Sequence, residues 1–272
     1  MISGKYFIQN NNTRLAKEFT NPFKIDSLNI YEVIRIDGGI PLFLDDHIIR
    51  FHNSLRVTEK KLLLAYYNIV EQVSELIKIN KIENGLIRIV FSFNQENSIT
   101  LTTFQTIVTF PPPQYYREGI SCLLQYSERD NPSAKIFNHI VRSKANNMIS
   151  SHNIYETILV NSESEITEGS RSNLFFVKGE TIYTAPNDLV LRGITRQKVI
   201  NIINSFGITL HLTPVNVNSI DKMDAIFITG TTPKILPVKR IDEVEFNVNN
   251  TIVAQLIQAY DTIVDEHKRT HH

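Results

Sequence analysis

Apolar positions along the chain follow two periods, and the switches between them outline its elements. Ile30 to Ile36 is β-rich, and a period of two puts Tyr31, Val33 and Arg35 on one face. Asp37-Gly38-Gly39 reads as a hairpin turn into a short strand, Ile40 to Leu44. From Asp45 to about Thr58 the period becomes helical, with Ile48, Phe51 and Leu55 on one side. Leu64 to Asn80 is a second helical pattern. Gly85 to Phe93 and Ile99 to Phe110 return to strands, with a polar turn around Asn94 to Asn97. Pro111-Pro112-Pro113 then interrupts, because prolines neither donate to a ladder nor continue a helix. The second half holds strands at Ile120–Tyr126, Tyr155–Val160, Asn173–Lys178, Thr181–Thr184 and Ala225–Thr229. It also holds a polar loop from Ser127 to Ser133, a polar helix around Lys144, a helix from near Ile194 to Gly207, and a last helix from about Asn249 to His267. The pattern predicts a mixed α/β (α+β) protein in two domains, 1–117 and 118–272, without internal repeats.

Composition narrows the class of function. Hydrophobic residues at 42% and charged residues at 21% fit a globular protein. Acids and bases balance at 28 each, without the basic excess of a nucleic-acid binder, so a small-molecule partner is expected. Cys122 is the only cysteine, which excludes an internal disulfide and a cysteine-based zinc site, and no metal is expected. Beside Leu123 and Leu124 it reads as a small buried hydrophobe. No apolar run approaches the roughly 18 residues that span a bilayer. Met1 to Asn10 lacks the basic-then-apolar layout of a signal peptide, so a soluble, cytoplasmic protein is expected.

Several polar residues stand in unusual places. Glu168 lies in Ile-Thr-Glu-Gly-Ser-Arg-Ser-Asn-Leu-Phe-Phe, where a polar loop turns into an apolar strand. Gly193-Ile194-Thr195 opens a helix carrying Val199, Ile200, Ile203 and Phe206, whose first amides suit an anion or a plain cap. Arg50 shares a helix face with His47 and Ser54, which on its own reads as a solvated face. Arg35 and Arg88 sit on apolar strands, where an arginine wants an anion, either a ligand or a structural partner such as Glu32.

Ile166 to Phe176, followed by Tyr183-Thr184-Ala185-Pro186, resembles the signature of the fold-type IV pyridoxal-phosphate enzymes, the class IV aminotransferases. That family holds branched-chain aminotransferases, D-amino-acid aminotransferases and aminodeoxychorismate lyase. Tyr31-Glu32-Val33-Ile34-Arg35, His47 to Arg50, Leu191 to Arg196, and Thr229 to Thr232 with Leu236-Pro237-Val238 resemble further family segments, in the family's order. The resemblance implies a smaller N-terminal and a larger C-terminal domain, pyridoxal 5′-phosphate held between them, and a homodimer. The family spacing fits Lys135, 33 residues before Glu168, as the covalent lysine, and not Lys144, 24 residues before it. Both carry an asparagine at the third position after them, Asn138 and Asn147, so the asparagine does not decide.

The resemblance also assigns roles. Glu168 would keep the cofactor's ring nitrogen protonated. Arg50, Gly193, Ile194, Thr195 and Thr231 would hold its phosphate, and His139, Arg171, Ser172, Asn173 and Leu191 would line it. Tyr31, Arg35, Arg88, Thr231 and Thr232 would meet the substrate. His139 stands where branched-chain enzymes have a tyrosine, and Arg171 where they have a small residue. Phe93 falls near an arginine of the D-amino-acid enzymes, which weighs against that branch. Glu32 weighs against the lyase, whose members tend to have threonines there. The activity implied is transfer of an amino group between an amino acid, branched-chain-like or other, and a 2-oxo acid such as 2-oxoglutarate. The alternatives are the lyase, the D-amino-acid enzyme, or a non-catalytic binding protein on the same fold.

Overall fold

The computed structural model describes residues 2–60, 66–93 and 99–271; the start of the helix expected from Leu64 and the turn expected at Asn94 to Asn97 lie outside the described residues. The chain forms two compact units: Met1–Thr109 with Ala134–Phe137 and Val264–His272, and Phe110–Ser133 with Asn138–Ile263.

The first unit contains strands β1 (Ile2–Gln9), β2 (Asn12–Leu15), β3 (Leu28–Asp37) and β4 (Ile40–Pro41), helices α1 (Leu44–Val57) and α2 (Tyr66–Asn80), and strands β5 (Asn84–Phe93) and β6 (Ile99–Thr106). The strands make one antiparallel sheet in the order β2-β1-β6-β5-β3-β4. The β3–β4 hairpin closes through Gly38 and Gly39, with φ of 62° and 78°, the left-handed pair a two-residue turn needs. The strand expected through Leu44 stops at Pro41 because Phe43 turns left-handed, φ 53°, and caps α1. Ile48, Phe51 and Leu55 of α1, with Ile69, Val73 and Leu76 of α2, cover Ile30, Ile34, Ile87, Ile89 and Phe91 on one face of the sheet. Tyr31, Val90, Phe7 and Phe104 face the other way, beside Phe19, Phe23, Val33 and Phe137. The two faces obey the period-two reading of β3.

The second unit contains α3 (Pro113–Glu118), β7 (Ile120–Tyr126), α4 (His139–His152), β8 (Glu156–Val160), β9 (Glu165–Gly169), β10 (Asn173–Lys178), β11 (Thr181–Thr184), α5 (Ile194–Ser205), β12 (Thr209–Leu212), β13 (Val215–Asn216), β14 (Ala225–Gly230), β15 (Lys234–Ile241) and β16 (Val244–Glu245). Helix α6 (Thr251–Thr270) begins in this unit and its last turns belong to the first. Pro113 starts α3, where its missing N–H costs nothing. The sheet runs β12-β11-β10-β14-β15-β7-β8-β9-β13, and β9 also pairs with β10 at Glu168 and Asn173. Six strands thereby close into a ring. Cys122, Ile158, Val160, Ile166, Leu174, Phe176, Ile226, Ile228, Leu236 and Val238 fill its interior. Cys122 is buried there, and burial pushes its thiol well up, so it is the inert hydrophobe its neighbours suggest. No helix of the described residues is long and apolar enough to cross a membrane.

Candidate active site

On the helix-covered face of the first unit's sheet, β3 places one carboxylate, Glu32, among isoleucines. Arg50 of α1 grips it twice, Nε to Oε1 at 2.9 Å and a terminal nitrogen to Oε2 at 2.6 Å. His47 Nδ1 lies 2.8 Å from Oε2. All three residues are buried. Burial by itself would raise Glu32, but the charge and hydrogen bonds of Arg50, then those of His47, outweigh it and hold the carboxyl down at about 2. Burial lowers His47 more than Glu32 raises it, so the ring is neutral near pH 7. An ionised carboxylate only accepts, so His47 carries its proton on Nδ1. The solvated-face reading of His47, Arg50 and Ser54 is thus overturned. So is a pairing of Glu32 with Arg35, because the two residues point to opposite faces of β3.

Lys135 lies on a short segment that pairs with the edge of β3. Tyr31 N–H donates to Lys135 O at 3.0 Å, Phe137 N–H donates to Asn29 O at 2.9 Å, and Ile30 opposes Ile136. Alternation sends Ile136 into the helix-side core and leaves Lys135 and Phe137 on the face of Tyr31. Lys135 Nζ stands 5.0 Å from the centre of the Tyr31 ring, and Lys135 N–H donates to Ser54 Oγ at 3.0 Å. Arg88 opposes Val33 and Arg35 opposes Leu86, so both guanidinium groups share that face with Lys135. Phe23 adds a ring edge-on to Tyr31 at 5.5 Å and against Phe137 at 4.4 Å, with the Arg88 guanidinium 5.9 Å above it. Phe23 and Phe137 were not singled out from the sequence; their aromatic character was the only signal. Lys144 is exposed on α4, and its amine donates to Tyr126 O at 3.1 Å.

In the second unit, Glu168 is held by a bulge. Gly169 opposes Ile158 and Ile166 opposes Val160, three steps against two, so the alternation resets between them. Ile166 points into the ring while Glu168 points out of it, beside Asn173. Glu168 therefore stands near a strand end, as expected, but on β9, a strand that precedes the apolar one read from Asn173 onward. Its Oε1 accepts from Arg129 at 2.9 Å, and its Oε2 accepts from Asn173 Nδ2 at 3.2 Å and from Leu191 N–H at 3.1 Å. Asn173 Nδ2 also donates to Leu191 O at 2.9 Å. Leu191 thus serves the acid through its backbone. Arg129, from the polar loop, was not anticipated.

Helix α5 starts after Gly193, where a Cβ would stand 2.2 Å from Asn173 Oδ1; only glycine fits. Ile194, Thr195 and Arg196 are buried in its first turn, and Thr195 Oγ1 is 3.4 Å from Tyr260 OH. Arg196 donates to Asn187 Oδ1 at 2.7 Å and Ala185 O at 2.8 Å, and burial lowers it to about 10, still charged at neutral pH. Thr231 and Thr232 are half-buried in the turn after β14, and the buried Thr229 Oγ1 before them makes no hydrogen bond among the described residues. Ser172 Oγ is committed to Glu156 at 3.0 Å. Arg171 is exposed; its N–H donates to Glu156 and its guanidinium bonds Asn146. His139 opens α4 one residue after Asn138, whose side chain caps the helix by accepting from Val141 N–H at 2.9 Å. The asparagine after Lys135 is therefore a helix cap.

A model of the family Amino-transferase class IV matches residues 29–241. The D-alanine aminotransferase of Bacillus licheniformis is 30% identical over 227 residues, covering 78% of each chain. The aminodeoxychorismate lyase of Bacillus subtilis is 24% identical over 259 residues, 90% of this chain and 87% of that one. Among solved structures, the branched-chain aminotransferase of the archaeon Thermoproteus uzoniensis with norvaline superposes with a TM-score of 0.85 at 21% identity, covering 99% of this chain and 97% of that one. At that identity the likeness establishes the fold.

Proposed function

The chain belongs to the class IV aminotransferase family, and from that premise we propose that it is a pyridoxal-phosphate-dependent enzyme passing an amino group between an amino acid, branched-chain-like or other, and a 2-oxo acid such as 2-oxoglutarate. One observation carries this choice within the family. Arg35 and Arg88 lie on the same sheet face as Lys135, two or fewer strand positions from Tyr31 or Val33, and suit the carboxylates of a substrate held at that lysine.

The residues fit the cofactor. In the first unit, a lysine fixed at its backbone by Tyr31 and Ser54 suits the covalent link; in the second, a buried acid, a helix start with glycine at its cap, and the Thr229 hydroxyl, without a hydrogen bond among the described residues, suit a ring nitrogen and a phosphate. Lys135 would hold the group covalently, Glu168 its ring nitrogen, and Arg50, Gly193, Ile194, Thr195 and Thr231 its phosphate. When bound, the group supplies an electron sink conjugated to the substrate Cα. The Lys135 amine would also be the base that moves the proton at the substrate Cα. Glu168 would accept a hydrogen bond from the ring nitrogen and favour its protonated form. Glu32 fixes the plane of Arg50. The same reading includes a homodimer and a cytoplasmic location, and light scattering of the purified protein tests the first.

Two results follow. L-Glutamate or a branched-chain L-amino acid should bleach the visible band of the holoenzyme to the near-ultraviolet amine band, and 2-oxoglutarate should restore it. Arg88→Ala should weaken the dicarboxylate more than a branched-chain substrate, which has one carboxylate fewer. D-Alanine alone bleaching the band would move the protein to the D-amino-acid branch; pyruvate released from aminodeoxychorismate, with no bleaching by amino acids of either hand, would make it a lyase. Arg50→Lys leaves a cation for Glu32 but removes the planar fork. Cofactor affinity should fall about tenfold or more, the equivalent of roughly 1.5–3 kcal/mol for a charge-assisted hydrogen bond. Unchanged affinity would leave Arg50 as the structural partner of Glu32 alone.

A further inference from the structure

Glu156 opens β8 opposite Cys122, and alternation turns its side chain toward the same ring interior as Ile158 and Val160. A carboxylate there is only 2% exposed. Its acceptors are all used. Oε1 takes Ser170 Oγ–H at 2.7 Å and Thr157 N–H at 2.9 Å. Oε2 takes Ser172 Oγ–H at 3.0 Å and Arg171 N–H at 3.1 Å. An ionised carboxylate offers about four lone-pair sites, and four donors occupy them.

Three of those donors belong to one turn. Residues 169–172 link β9 to β10 directly beyond the Glu168–Asn173 pair. The turn has its own bonds, Gly169 N–H to Ser172 O at 2.8 Å and Ser170 N–H to Thr157 O at 2.9 Å. It lies so close to Glu156 that a Cβ on Gly169 would stand 2.1 Å from Ser172 Oγ and 3.2 Å from Glu156 Cγ. Glu168 leaves the turn at one end. Asn173, which donates to Glu168 Oε2, leaves it at the other.

We propose that Glu156 is a positioning residue for Glu168, clamping the Gly169–Ser172 turn from inside the ring so that Glu168 and Asn173 keep their mutual orientation. This rests on the role given above to Glu168. It also explains both serines of the segment as donors to Glu156. Glutamine cannot replace the carboxylate. Whichever oxygen becomes NH2, it meets a backbone N–H, of Thr157 or of Arg171, that then has no acceptor.

Amide hydrogen exchange on the cofactor-free protein reads the clamp directly. In Glu156→Gln the amides of 169–172 should exchange about tenfold faster or more, with those of α5 and β14 unchanged. In the holoenzyme, Glu156→Gln should slow the amino-donor half-reaction by about tenfold or more, yet change the rate of Glu168→Gln by less than about twofold, because both act through one group. Equal slowing in both backgrounds, or lower stability with unchanged rate and exchange, would overturn the proposal. If Glu156→Gln does not fold, Ser170→Ala removes one donor and should speed turn exchange several-fold; unchanged exchange there overturns it equally. Full activity of Glu168→Gln would remove the role of Glu168 and the proposal with it, a failure the cofactor-free exchange rates separate from failure of the clamp.

Discussion

Glu168→Gln should leave the cofactor bound and slow the amino-donor half-reaction by at least about 100-fold, the scale lost when one electrostatic stabiliser of a developing charge is removed. The surroundings of Glu168 make the glutamine poor on both sides. Its NH2 group would meet either the Arg129 guanidinium or the paired donors of Asn173 Nδ2 and Leu191 N–H. A neutral amide held among donors cannot keep a ring nitrogen protonated. Rapid-mixing spectroscopy of the half-reaction measures the effect. Near-normal rates would remove Glu168 from the reaction.

The second large effect is on stability. Glu32→Gln leaves the Arg50 cation buried without its carboxylate, and breaking a buried pair in this way costs about 3–5 kcal/mol. The pH dependence gives an independent check. Glu32 is lowered from an ordinary 4.5 to about 2 in the folded chain, so its contribution is present above about 4.5 and lost as pH falls through about 2. Integrated over that window the shift amounts to about 3 kcal/mol, in line with the cost of the broken pair. His47, also lowered on folding, adds acid sensitivity of the same sign below its ordinary 6.5. Denaturant unfolding at a series of pH values should show the wild type losing stability between about pH 4.5 and 2 more steeply than Glu32→Gln. Parallel curves would mean that the pair does not carry that stability.

The sequence was informative where periodicity decides. Period two on β3 put Tyr31, Val33 and Arg35 on the face away from the helices, and the helical period found the apolar face of α1 and placed α5. It failed where a local irregularity decides. The bulge in β9 that turns Glu168 out of the ring leaves no mark on the pattern of polar and apolar residues, so only the strand from Asn173 was legible and β9 was not. The pairing of Glu32 with Arg50 depends on which helix covers which face of the sheet, and strand alternation alone gives no partner. Strands β1, β2, β12 and β13 lie in segments too polar or too short to show a period. Lys135 was reached through family spacing. Its support in the fold, a segment pairing with the edge of β3, is a contact between residues about a hundred positions apart that no local pattern records.

Borohydride reduction of the cofactor-loaded protein, followed by peptide mapping, tests the central assignment most directly. A single pyridoxyl group is expected on Lys135, the lysine that shares its sheet face with Tyr31, Arg35 and Arg88. A pyridoxyl group on Lys144, whose amine is tied to Tyr126 O, or reduction that labels no lysine, would contradict it.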